Sequence, residues 1–323
     1  MAPPLPTDTI RLHTDEPGIA RAASLLAAGQ AVAIPTETVY GLAADARQPQ
    51  AVARIYAAKG RPAHNPLIVH VSSIEQAREL GQFNAGAEAV AAAFWPGPLT
   101  LVLPLRAGAG LAPAVTAGGD SVAIRFPAHP VAQAILRAFG GVVAAPSANP
   151  SGRISPTTAA HVLDPENGLS GRIAAVVDAG PCAVGLESTI LGWNGGRPTI
   201  LRPGAITAEA LARTLGQPVG RGPASDDAAP VAPGMLSSHY APRVPVRLNA
   251  QTARADETFI GFGAVAGDLS LSPAGDLAEA AANLFDCLRR ADALGRPIAV
   301  APIPTEGLGA AINDRLTRAA APR

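Results

Sequence analysis

The chain has 323 residues, of which 48% are hydrophobic, and carries 25 cations against 25 acids. That length suggests about two domains, and the apolar share supports a sizeable core, so disorder is not the default. Zero net charge argues against a non-specific polyanion binder but leaves room for a local basic cleft.

In chain order, residues 9–12 read as an edge strand and 19–28 as a helix ended by Gly29. An apolar run at 31–34 has the length of a buried strand. It empties into a polar turn carrying Thr36, Glu37, Thr38 and Tyr40, closed by Gly41. The next segment has Pro49 near its start and Val52, Ile55 and Tyr56 on one face, as an amphipathic helix does. Gly60 stops it between Lys59 and Arg61, two cations favourable at a helix C-terminus. Asn65-Pro66 leads into a strand at 67–71. Helices follow at 73–80 and 85–94, the second halted by Trp95-Pro-Gly-Pro98, and then strands at 99–103 and 122–126. Residues 130–139 are helical, and a strand at 142–145 runs into Pro146-Ser-Ala-Asn149. A helix at 157–163, with Ser155-Pro156 as its start signal, precedes strands at 174–178, 188–191 and 199–202 and a helix at 207–215.

This irregular alternation points to a twisted, mixed α/β sheet. Residues 216–234 are rich in Pro, Gly, Ala and Asp and read as a linker. Beyond it, strands at 244–248, 258–263 and 298–302 and helices at 276–294 and 307–320 predict a small parallel-sheet domain of about 80 residues.

Several signatures are absent from the sequence. No Walker loop holds a nucleotide, and no G-x-S-x-G elbow surrounds Ser147 or Ser188. Gly261-Phe-Gly263 lacks the rest of a dinucleotide fingerprint and reads as a tight turn. The six histidines show no metal-ligand spacing. Cys182 and Cys287 lie far apart and match no metal or redox spacing, which fits a reduced cytosolic setting. With no run of about 18 apolar residues and no signal-peptide core, a soluble cytoplasmic protein without a membrane partner is expected.

What remains is a set of polar residues at strand ends. No acid lies between Arg47 and Ser73, so Lys59 and Arg61 have no local partner and are available to an anion. Lys59 is also the only lysine in the chain. A compact ammonium on a flexible stem does what a planar guanidinium cannot. Ser147 and Asn149 follow one strand and Arg202 ends another, while His70 and Arg125 lie within strands. Together these donors suit a polyphosphate and a small carboxylate.

The motifs Pro35-Thr-Glu-Thr-Val-Tyr-Gly-Leu42, Lys59-Gly-Arg61, Asn65-Pro-Leu-Ile-Val-His70, Trp95-Pro-Gly-Pro-Leu-Thr100 and Ala145-Pro-Ser-Ala-Asn149 occur in that order. Glu187-Ser-Thr-Ile190 and Leu201-Arg-Pro-Gly204 follow. The series resembles the YrdC-type threonylcarbamoyl-adenylate synthases over nearly the whole chain. Ala232-Pro-Gly-Met235, His239-Tyr-Ala-Pro242 and Gly307-Leu-Gly-Ala-Ala-Ile-Asn-Asp314 resemble the linker and C-terminal domain of the longer, two-domain form. The resemblance implies a YrdC-like catalytic domain at 1–215, a linker or lid at 216–243 and a small Rossmann-like domain at 244–323.

It further implies synthesis of L-threonylcarbamoyl-AMP from L-threonine, bicarbonate or CO2, and ATP, with release of pyrophosphate. The product would pass to a tRNA threonylcarbamoyl transferase complex for modification of adenosine 37. By motif, the ATP side comprises Lys59, Arg61, Asn65, Ser121, Ser147, Asn149, Ser155 and Arg202, with Tyr240 reaching back over the nucleotide. Lys59 and Arg61 carry the catalytic charge. The threonine side comprises Thr38, Tyr40, His70, Arg125, Ala145 through its backbone, and Ser188. The linker would shield a labile mixed anhydride from water. Magnesium would come with ATP, held mainly by phosphates and water. The competing readings are a double-stranded RNA or tRNA-binding module, with at most weak tRNA contact expected here, and a carbamoyltransferase using another acceptor.

Overall fold

The computed structural model describes residues 8–222 and 239–322. The first part runs β1 (Ile10–Leu12), α1 (Glu16–Ala27), β2 (Val32–Ile34), β3 (Gly41–Asp45), α2 (Pro49–Lys59), β4 (Ile68–His70), α3 (Ile74–Leu80), α4 (Ala85–Phe94) and β5 (Leu99–Pro104). It continues with β6 (Ser121–Arg125), α5 (Pro130–Phe139), β7 (Val143–Ala144), α6 (Ala159–Leu163), β8 (Ala175–Val177), β9 (Thr189–Asn194), β10 (Arg197–Arg202), α7 (Ala208–Leu215) and β11 (Gly220–Arg221). The second part holds β12 (Val246–Arg247), β13 (Thr258–Gly261), β14 (Leu269–Ser270), α8 (Leu277–Ala293), β15 (Ile298–Val300) and α9 (Leu308–Ala319).

Strands β1 to β11 form one mixed sheet in the order β1-β8-β2-β3-β7-β4-β6-β5-β9-β10-β11. Side chains alternate across it, and the two faces bury different helices. Val32, Ile34 and Ala43 pack with α1 and α5, while Ala33, Leu42, Ala44 and Val69 pack with α2. Beyond α5 the first face carries only a small apolar cluster, Ile68, Ala123 and Ile190. His70 and Arg125 lie two residues further along β4 and β6, hence on that same face, and pair in register. This stretch of sheet, bare of the first domain's helices, carries His70 and Arg125.

The second domain is a four-stranded, all-parallel sheet, β12-β15-β13-β14, as the alternating strand and helix pattern predicts. Its core takes in Val39, Ile154 and Leu186 from the first domain, so the two share buried surface. Polar ties reinforce the contact. Arg289 in α8 donates to Ile154 O at 2.5 Å, and His161 Nε2 lies 3.3 Å from Asp286 Oδ1.

Three short strands differ from expectation. β3 reads Gly-Leu-Ala-Ala-Asp, a sequence with little β-propensity, and is made a strand by its antiparallel ladder to β2. β11 lies inside the expected linker and pairs with β10, and β14 is two residues long. The helix at 159–163 is capped by Thr158, whose hydroxyl accepts from His161 N, and not by Ser155-Pro156. Of the expected linker, Ala232-Pro-Gly-Met235 lies outside the described residues.

Gly185 shows how tightly the domains meet. It adopts φ +72°, and a Cβ there would sit 2.5 Å from Ala281 O and Ala282 Cα of α8. Gly185→Ala should therefore cost about 1–3 kcal/mol, read as a lower melting temperature and faster proteolysis between the domains. An unchanged melting temperature would show that the domains are not seated on this glycine.

Candidate active site

The turn between β2 and β3 is built by its own hydroxyls. Thr36 Oγ1 accepts from Thr38 N and Val39 N, lies 2.8 Å from Thr38 Oγ1 and donates to Val39 O. Ala148 N bonds Tyr40 O and Leu42 N bonds Pro146 O, stitching this turn to the loop after β7. From the other side, Lys59 at the end of α2 donates to Ser147 O and Asn149 O, each at 2.6 Å. Gly60 in the left-handed region ends the helix, so the ammonium is delivered at a helix C-terminus.

A narrow cavity of about 40 Å³ lies against these loops. Its walls include Arg61, His70, Arg125, Ala145, Ser147, Glu187, Ser188, Arg202, His239 and Tyr240. Eight of the sequence-predicted residues thus line one space: Arg61, His70, Arg125, Ala145, Ser147, Ser188, Arg202 and Tyr240. Arg202 reaches Ser188 O at 2.9 Å and Ser188 Oγ at 3.2 Å, and Ser188 Oγ lies 2.7 Å from Thr100 Oγ1. The ladder between β9 and β10 shifts register between Ile200 and Arg202, a bulge of the kind that re-aims a side chain.

Others stand one contact back. Thr38 Oγ1 accepts from Arg125 Nη1 at 2.8 Å. Asn65 Oδ1 accepts from Arg61 at 2.5 Å. Asn149 gives its amide to Pro150 O and Arg153 O, and Ser155 Oγ donates to Glu187 at 2.5 Å. Several buried atoms have no protein partner: Asn65 Nδ2, Asn149 Oδ1, His239 Nδ1 and the Tyr240 hydroxyl. Buried groups of this kind are ordinarily satisfied, and their grouping here fits a polar ligand.

Two expected residues stand off this cavity, and Arg125 is already engaged. Tyr40 does not line the cavity; its hydroxyl donates to Gly180 O at 2.8 Å and accepts from Ala179 N, holding the loop after β8. Ser121 opens β6, about 13 Å along the strand from Arg125, and is not among the cavity residues. Arg125 Nη1 is on Thr38, and its Nη2 is 2.7 Å from Glu37 Oε1, close but out of line for a hydrogen bond. Ala145 already donates its amide to Ile68 O, which leaves its carbonyl as the group it can offer.

Sequence reasoning missed Glu187 and His239 as wall residues, Glu37 as the partner of Arg125 and Arg315 as the partner of Glu187. Glu187 and His239 sat inside quoted motifs. Arg315 follows the last motif directly, and only the meeting of the two domains reveals it.

Burial dominates the electrostatics. It drives the Lys59 ammonium well below its ordinary range, with Arg61 adding repulsion, and pushes Arg61 to about 10. Burial raises Glu187, but Arg315 and Arg202 outweigh it and hold the carboxyl below its usual value. His70 is pushed to about 3, first by burial and then by Arg125, so its imidazole is neutral; His239 is likewise pushed to about 3 by burial. Glu37 and Glu187 are each paired with an arginine, and no group of three His, Cys, Asp or Glu among the described residues could hold a metal. This donor set does not fit a protein-held divalent cation.

Two family profiles account for the chain. The Sua5/YciO/YrdC profile, described as telomere recombination, matches residues 24–204, and that of the threonylcarbamoyl-AMP synthase C-terminal domain matches 206–321. The chain belongs to the Sua5/YrdC family. A Bacillus subtilis threonylcarbamoyl-AMP synthase is 42% identical over 98% of this chain and 96% of its own. One from Pyrococcus abyssi is 38% identical over 96% of each. The crystal structure of P. abyssi Sua5 complexed with L-threonine superposes with a TM-score of 0.88 at 37% identity, over 97% of this chain and 98% of that one. A P. abyssi Sua5 variant in which an adjacent histidine–tyrosine pair is replaced by alanines superposes at 0.87. In the present Sua5/YrdC chain, His239-Tyr240 is the only adjacent pair of that kind.

Neutral His70 has a consequence for stability. An unfolded histidine takes its proton near pH 6.5, whereas His70 holds out until about 3. The unfolded state binds the extra proton in between, so stability falls as pH drops from about 6.5 towards 3, by up to about 1.4 kcal/mol per pH unit. Denaturant melts at about pH 7 and about pH 4.5 should show a smaller acid loss for His70→Gln than for the unaltered chain. Equal losses would mean that His70 is not buried neutral.

Proposed function

We propose that this chain synthesises L-threonylcarbamoyl-AMP from L-threonine, bicarbonate or CO2, and ATP, for the N6-threonylcarbamoyl modification of adenosine 37 in tRNA. The observation that carries the reading is the convergence of Arg61, His70, Arg125, Ser188 and Arg202 on one cavity, in a fold that superposes on a threonine-bound Sua5. The threonine amine adds to CO2 to give a carbamate. A carbamate oxygen then attacks the α-phosphorus of ATP, and pyrophosphate leaves. No covalent enzyme intermediate is needed, so positioning and charge neutralisation carry the catalysis.

Arg61 and Arg202 take the phosphates. Lys59 has three N–H donors and two are on loop carbonyls, so it fixes the Ser147–Asn149 loop and turns its third towards phosphate. Asn65, Asn149 and Ser155 support the same side, the first two with orphan polar atoms to offer. On the threonine side stand Thr38, His70, the Ala145 carbonyl, Ser188 and Arg125. For Arg125 to grip the threonine carboxylate, its Nη2 exchanges Glu37 for the ligand. Magnesium arrives with ATP on phosphates and water. The product then passes to a tRNA threonylcarbamoyl transferase complex.

Tyr240 and His239 act as the movable wall. The cavity of about 40 Å³ is far smaller than a nucleotide requires, and these two lining residues are the ones that would withdraw for ATP to enter. Tyr240 is fully buried yet has φ +61°, an uncommon conformation for a bulky residue. Phe285 stacks on its ring at 5.5 Å, and Ala241 N bonds Gly152 O. A strained residue held by a few contacts suits a piece that leaves and returns.

Pyrophosphate release from ATP should depend on both L-threonine and bicarbonate. Equal release with either one omitted would sink the proposal. Lys59→Arg should lose about a hundredfold or more in rate while keeping its melting temperature, because a guanidinium does not fit between two carbonyls set for an ammonium. Unchanged turnover would show the lone lysine to be replaceable.

A further inference from the structure

Arg315 heads the fully buried side chains, with no exposure at all. It comes from α9 in the second domain, yet its Nε lies 2.8 Å from Glu187 Oε2 in the cavity wall of the first. Its Nη1 meets Asp314 Oδ2 at 2.6 Å, and its guanidinium carbon lies 5.2 Å from the centre of the Tyr240 ring. Glu187 accepts from Ser155 Oγ with its other oxygen.

Glu187 is the one carboxylate among the described residues that line this cavity with Arg61 and Arg202. On the synthase reading, those arginines receive a triphosphate. An uncancelled acid beside them would repel the phosphates and would itself be strongly unfavourable in so buried a place. A glutamine could accept from only one of the two donors and would aim its amide at the other. The carboxylate therefore suits the joining of Ser155 to α9, provided its charge is cancelled.

We propose that Arg315 is a positioning residue for nucleotide binding: it cancels the Glu187 charge, so that the cavity offers Arg61 and Arg202 to phosphate without an opposing anion. The second domain then acts on the first through charge, not through contact with substrate. This inference rests on the synthase reading.

The test is equilibrium binding of ATP and of L-threonine to the full-length chain, by calorimetry, with melting curves as the check on folding. Arg315→Gln should weaken ATP at least about tenfold while threonine shifts by less than about threefold. Combining it with Glu187→Gln removes the acid as well, and ATP affinity should return to within about threefold of the unaltered chain. A double variant as weak as Arg315→Gln, or an Arg315→Gln chain that binds ATP normally, overturns the proposal. If Arg315→Gln alone does not fold, the double variant decides, and an ATP affinity more than about tenfold below that of the unaltered chain overturns it. An unaltered chain that binds ATP but makes no threonylcarbamoyl-AMP overturns the functional reading and leaves the binding comparison standing.

Discussion

Lys59, Arg125, Arg202 and Arg315 are all more than nine-tenths buried, and each positive charge has to be stabilised by something other than bulk water. The solutions differ. Lys59 is held by two loop carbonyls, Arg202 by the carbonyl and hydroxyl of Ser188, Arg125 by Thr38 and Glu37, and Arg315 by Glu187 and Asp314. The last two meet carboxylates. Cations satisfied by neutral oxygens keep most of their field for a ligand, whereas those on carboxylates are largely cancelled. The site is graded accordingly, with Lys59 and Arg61 on neutral oxygens and the compensated Arg125–Glu37 pair opposite. That grading matches a substrate pair in which one member carries several negative charges and the other a single carboxylate.

Much of the fold was legible because its longer elements carry local signals. α2, α4 and α5 begin and end where proline, glycine and the apolar spacing place them. β3, β11 and β14 were hidden because they are short or alanine- and glycine-rich, and are strands only through their neighbours' ladders. The site followed the same division. The acid-free run around Lys59 and Arg61 was visible in sequence. Glu37 and Arg315 act behind the wall, and Arg315 lies 128 residues from Glu187. Tyr40 was misjudged because a motif position says nothing of which way a hydroxyl points, and here it points to Gly180.

The mixed sheet explains why so many loops can converge. Parallel β4 and β6 both end at the cavity, bringing His70 and Arg125 side by side. Antiparallel β5 sets Thr100 opposite Arg125, and parallel β9 sets Ile190 beside Thr100, with Ser188 just before it. α5 leaves this part of the face bare, and the second domain covers it. A large mixed sheet with one end of its face capped by a separate domain gives a narrow, deeply buried site.

The lone lysine bears on self-inflicted chemistry. A carbamoyl-adenylate is an acylating agent, and its natural targets on proteins are amines. Every other side-chain cation in this sequence is an arginine, so the chain offers no second lysine amine to such a product. The one it has is buried and held between two loop carbonyls. A protein so composed is poorly susceptible to modification by the activated carbamate it would release.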